Sequence, residues 1–143
     1  MKTTEEQRSQ DAKDRREASE ARQEMISKLE KKESSRSIAL WAEETFGPAT
    51  ALSTAIRALK ELTELIEKLS IISKMEKEPS LKDQEEVMLE VADVRIVLAR
   101  IQRFFPDAGL TAEEAEDFKM TINRARKWKL DGHGHGQHVP DEQ

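Results

Sequence analysis

The chain has no cysteine, which excludes a disulfide framework and any thiolate metal site. Aromatic residues make up only 4% of its 143 residues, with five glycines and four prolines. A single domain of this kind has a modest core and gains much by oligomerising. No apolar run approaches the roughly 18 residues of a membrane span, and the opening MKTTEEQRSQ lacks the apolar stretch of a signal peptide. A soluble, cytoplasmic protein with no membrane partner is therefore expected. No stretch alternates convincingly with period two, so no sheet is expected either. What is abundant is charge: 37% of residues, for a net charge of −5. That balance argues against stable nucleic-acid binding.

The charge is uneven along the chain. Residues 1–36 form an arm that is more than half charged, with the two signs nearly balanced and almost no apolar residue before Met25, Ile26 and Leu29. Glu24/Lys28 and Asp11/Arg15 stand at i, i+4 and would support a solvated helix. The arm reads as partly helical and frayed at its start, or as a disordered tail. Residues 37–143 read as one all-α domain with a flexible C-terminal loop. SIALWAEETF predicts a short helix stopped by Gly47–Pro48. A long helix follows from about Ala49 to Lys77, its apolar residues Leu52, Ala55, Ile56, Leu59, Leu62, Ile66 and Leu69 spaced for one face. EPS breaks it. A third helix spans about Leu81 to Phe105, with Val87, Val91, Val94, Leu98 and Ile101 on one stripe. After PDAG, TAEE is a capping-box start for a fourth helix reaching about Leu130. DGHGHGQHVPDEQ reads as loop.

Two pairs of carboxylates interrupt this pattern: Glu61/Glu64 in KELTEL and Glu90/Asp93 in EVADV, each at i, i+3. At about 100° per residue, Glu90 falls within the stripe of Val87, Val94 and Val97, with Asp93 at its border. Glu61 borders the stripe of the second helix, and Glu64 lies one step further round. An antiparallel hairpin would bring the pairs to similar heights. Four carboxylates near a core repel one another, and an uncompensated one costs several kcal/mol. Lys68 and Arg95 point mostly toward solvent on the wheel. A hard divalent cation such as Mg²⁺ answers the need better, and commonly brings a phosphate substrate with it. Either pair alone reads as a solvated face.

KELTEL followed one hairpin later by EVADVRIVL resembles the E-x-x-E…E-x-x-D signature of the MazG-like all-α nucleoside triphosphate pyrophosphohydrolases. WAEETFG resembles the Trp/Phe-bearing first helix of that family, KMTINRARKW its later K-M-x-x-N-R segment, and GHGHGQHVP the GQHV ending of small phage and bacterial members. The match covers about Ser37 to Pro140. The resemblance implies a helical bundle completed by oligomerisation, as a dimer or tetramer. It implies Mg²⁺, with Mn²⁺ as a substitute, held by Glu61, Glu64, Glu90 and Asp93. It further implies cleavage of a (d)NTP between the α- and β-phosphates into a nucleoside monophosphate and pyrophosphate. Many members carry a further acidic residue just before the first pair, where this chain has Lys60; that leaves open how many metal ions are held and which glutamate activates water. Glu61 or Glu64 is the expected catalytic base. The short chain and its ending look most like phage-type members, some of which (the MazZ enzymes) hydrolyse dGTP. A purine deoxynucleotide, dGTP or dATP, is the expected substrate, in the host cytoplasm if the protein is phage-borne.

For the nucleotide itself, Lys119 and Arg126 are candidates for the triphosphate and Asn123 for base, sugar or phosphate. Trp128 and Trp41 are candidates to stack on a base. The plainer reading gives the basic residues to the helix dipole and the tryptophans to the core; the family match favours a ligand role for Lys119 and Asn123. His133, His135 and His138 lack a further ligand and a rigid frame for zinc, and their loop is expected to be flexible or to close over phosphates through backbone N–H groups. The competing reading of the whole chain is a non-enzymatic helical assembly protein.

Overall fold

The structure is a computed structural model that describes residues 4–29 and 32–141. Among these residues the helices are α1 (Thr4–Ser27), α2 (Ser35–Phe46), α3 (Ala51–Ser73), α4 (Leu81–Ala99) and α5 (Ala112–Ala125). The strands β1 (Trp128–Leu130) and β2 (Gly136–His138) follow. The chain is mostly helical, as its periodicity predicts. The frayed start expected for the arm falls on residues 1–3, outside the described residues.

Three helices begin where short polar side chains cap them. The expected box before α5 forms: Thr111 Oγ1 accepts the Glu114 N–H at 3.2 Å, and Glu114 Oε1 accepts the Thr111 N–H at 3.0 Å. Two similar devices escaped the sequence reading. Ser80 and Asp83 bond reciprocally before α4, at 3.1 and 3.2 Å, and Thr50 and Ser53 do so before α3, both at 3.0 Å. Each satisfies N–H groups that the first helical turn leaves unpaired.

Helix ends depart further from expectation. α3 stops at Ser73 and α4 at Ala99, after which Arg100–Phe104 winds into a 3₁₀ turn. α5 stops at Ala125, short of the expected Leu130, because the Asn123 carbonyl is taken by Arg126 N–H at 3.3 Å and by the Trp128 indole N–H at 2.9 Å. Arg126 is already extended (φ −78°, ψ 151°). The expectations of no sheet and of a C-terminal loop are corrected here. β1 and β2 pair antiparallel, Trp128 opposite His138 and Leu130 opposite Gly136. Three-residue strands are too short to display a period-two signal. Their turn is held by Asp131, whose Oδ1 accepts the N–H groups of His133 and His135 at 2.7 and 3.1 Å. Gly132 and Gly134 take positive φ of 80° and 84° there, which side chains with a Cβ resist.

Two compact units can be separated, one comprising the residues up to Ser34 with Ile56–Arg95, the other Ser35–Ala55 with the chain from Ile96 onward. In the first unit α1 has no buried residue and is tied to α4 by an Arg22–Glu85 ion pair. Its outer face carries the expected Glu24–Lys28 pair at 2.8 Å, while Asp11 accepts from Gln7 at 3.0 Å. On α3, Ala58 and Glu61 are buried and Leu65, Lys68 and Ile72 half-buried. Their 3-4-3-4 spacing is that of an inward seam. The apolar stripe read from the sequence lies elsewhere on the helix: Leu52, Ile56, Leu59 and Ile66 are 72%, 60%, 62% and 55% exposed. Lys68, expected to face solvent, instead bridges Glu86 and Asp83 of α4 (3.7 Å to Asp83). The seam turns it inward, and its long apolar stem makes that tolerable.

The second unit is held by polar contacts at helix ends. Ser35, buried at the head of α2, donates its N–H to Glu113 Oε1 at 2.7 Å and its hydroxyl to Glu113 Oε2. Arg103 donates to Glu43 at 2.8 Å, and Arg100 donates to the carbonyl of Gly47. Gly47 ends α2 as the sequence predicts, at φ 75°. Among the described residues of both units the buried apolar side chains are all alanines, Ala39, Ala42, Ala58 and Ala99, and no large side chain is fully buried.

Candidate functional site

Glu61 is the residue on which the first unit's chemistry centres. It occupies the inward seam of α3 and is 6% exposed. Its carboxyl stands close to that of Glu64 and in the field of Asp93 from α4. Burial and the neighbouring carboxyls of Glu64 and Asp93 push its pKa above the ordinary 4.5, opposed by Arg57. Arg57 Nη2 lies 2.5 Å from Glu61 Oε1. Glu61 thus stands among carboxylates that oppose its ionisation, with Arg57 as the cation beside it.

The second pair lies on α4. Glu90 is half-buried, and its Oε2 is buried with no hydrogen-bond partner. An orphaned carboxylate oxygen of this kind costs about 1–3 kcal/mol or more. Asp93, one turn on, is exposed, which fits its place at the border of the valine stripe. The structure thus brings Glu61, Glu64 and Asp93 into one electrostatic neighbourhood, with Glu90 on the buried side of α4.

Among the described residues no three His, Asp or Glu side chains stand as a ready-made metal cage. The donors nonetheless suit a hard cation. They are all oxygen, two of them crowd each other at Glu61 and Glu64, and one, at Glu90, has a buried oxygen without a partner. Arg57 was missed at the sequence level, although its i, i+4 spacing to Glu61 was legible. It supplies part of the positive charge that the carboxylates were expected to require.

The candidate nucleotide contacts belong to the second unit. Lys119 and Asn123 sit one turn apart on α5, and Asn123 Oδ1 is buried without a partner. The helix was expected to reach Leu130 and so to carry Arg126 and Trp128; with α5 ending at Ala125, both lie beyond it. Trp128 instead stands in β1, half of its indole open, set edge-on to His138 at 6.4 Å between ring centroids. Trp41 is 51% exposed and packs edge-on against Phe46 at 5.5 Å. The glycine-rich turn does not offer the N–H groups of His133 and His135 to an anion, because the Asp131 carboxylate already accepts both. Comparison of the chain with known protein families, with curated proteins and with solved structures gave no match.

Proposed function

We propose that the chain is a Mg²⁺-dependent nucleoside triphosphate pyrophosphohydrolase of the MazG-like all-α type. It cleaves a (d)NTP between the α- and β-phosphates, with a purine deoxynucleotide (dGTP or dATP) preferred. The observation that carries the reading is the buried Glu61, crowded by Glu64 and Asp93, with the half-exposed Arg57 as its counter-charge. A fold that needed only stability would place leucine there.

Glu61, Glu64, Glu90 and Asp93 would hold the cation, and Mn²⁺ would substitute for Mg²⁺. Such an ion, when bound, neutralises the charge that develops on the phosphates. The chain's own groups do the rest. Glu61 or Glu64 takes the proton of the attacking water. The water oxygen bonds to phosphorus, the bond to the bridging oxygen breaks, and pyrophosphate separates from the monophosphate. In the second unit, the resemblance would give Lys119 and Arg126 to the triphosphate, Asn123 to base, sugar or phosphate, and Trp128 and Trp41 to the base.

The outward stripe of α3 supports self-association as a dimer or tetramer, since four large aliphatic side chains at 55–72% exposure otherwise remain in water. The same stripe favours the second reading, a non-enzymatic assembly protein. That reading leaves Glu61 and the orphaned Glu90 oxygen without a purpose. Pyrophosphate release from a panel of (d)NTPs, with and without Mg²⁺, separates the two. The enzyme releases pyrophosphate only with metal, and Glu90→Gln lowers the rate by about a hundredfold or more. No release from any nucleotide by the folded protein leaves the assembly reading in its place.

A further inference from the structure

Arg57 stands where two demands meet. Its guanidinium lies on a carboxylate that is only 8% exposed at the side chain, yet its own side chain is 54% exposed. It is therefore held at one end, with much of its length in solvent. It comes from the same helix, one turn before Glu61, so no other element has to shift for it to leave. A divalent cation at Glu61 would claim the oxygen that Arg57 now contacts and would repel the guanidinium at close range. The planar fork would then sit beside the cation, with its donors unpaired. Those donors match phosphate oxygens, which accept two parallel N–H bonds from one guanidinium.

We propose that Arg57 is a two-position residue: it covers Glu61 while the carboxylates hold no cation, and it contacts a phosphate oxygen of the substrate once they do. The inference rests on the metal-dependent phosphohydrolase reading above and deepens it. It assigns the chain a substrate-contacting arginine outside the basic segment of α5. In the metal-free protein this residue competes with cation binding; with nucleotide present it favours the loaded state.

The test separates these two effects. Mn²⁺ binding without nucleotide is measured by calorimetry for the natural protein, Arg57→Ala and Arg57→Lys, and KM and kcat are then measured with the preferred nucleotide. Arg57→Ala removes the competitor, so Mn²⁺ binds about fivefold more tightly, while KM rises roughly tenfold and kcat changes less. Arg57→Lys keeps the competing charge without the fork: its Mn²⁺ affinity stays near that of the natural protein, and its KM still rises. Unchanged or weaker Mn²⁺ binding by Arg57→Ala overturns the competition, and an unchanged KM overturns the phosphate contact. A natural protein that binds no Mn²⁺ and releases no pyrophosphate overturns the functional reading itself, a result distinct from either of these.

Discussion

Replacing Glu90 by methionine removes the buried carboxylate while keeping an unbranched side chain of similar length and helix propensity. Glu90 Oε2 is buried without a partner, and relief of such an acceptor is worth about 1–3 kcal/mol. For a chain near this length 1 kcal/mol moves the melting temperature by roughly 3 °C. In EDTA, at fixed protein concentration, Glu90→Met is therefore expected to melt about 3–9 °C above the natural protein. Magnesium reverses the comparison. At about 100 times its Kd a cation stabilises the natural protein by roughly 2.7 kcal/mol, and the variant, lacking one ligand, gains far less. Circular dichroism melts with and without about 10 mM MgCl₂ read both arms. A variant that melts lower than the natural protein in EDTA would refute the reasoning, because Glu90 would then be a structural residue whose oxygen has found a partner. A gain in EDTA together with an undiminished response to Mg²⁺ would refute its role as a ligand.

The Ser35–Glu113 contact gives a pH dependence of opposite origin. Hydrogen bonds from the Ser35 hydroxyl and N–H hold the Glu113 carboxyl down at about 2, against an ordinary 4.5. A lowered folded-state pKa stabilises above 4.5, and that contribution fades as pH falls toward 2. Glu113→Gln is thus expected to melt below the natural protein at pH 7, with the gap closing between pH 4.5 and 2; a gap that is independent of pH over this window rejects the ionic contribution. The outward stripe of α3 is tested by Ile66→Glu, at a position 55% exposed in the single chain. Light scattering should show a shift toward monomer at micromolar concentration, with an affinity loss of about tenfold or more. An unchanged mass would place the self-associating surface elsewhere.

The sequence by itself determined the helical class, the stop at Gly47, the cap at Thr111 and the presence of Glu90 among valines, because each depends on near neighbours and on the helical period. Spacing could not decide which of α3's two stripes faces the chain's own helices. Both repeat at three and four residues, and only tertiary contact selects the one carrying Ala58, Glu61 and Lys68 over the more apolar one beside it. That choice turned Lys68 inward and buried Glu61, and Arg57 is the cation found beside it. The small sheet was likewise hidden, since three-residue strands carry no readable alternation and Asp131 fixes their turn through contacts visible only in the fold. The same hairpin, with its indole hydrogen bond to Asn123, ended α5 early and took Trp128 off the helix. Local rules wrote the helices; the pairing of their faces decided which charges lie in the interior.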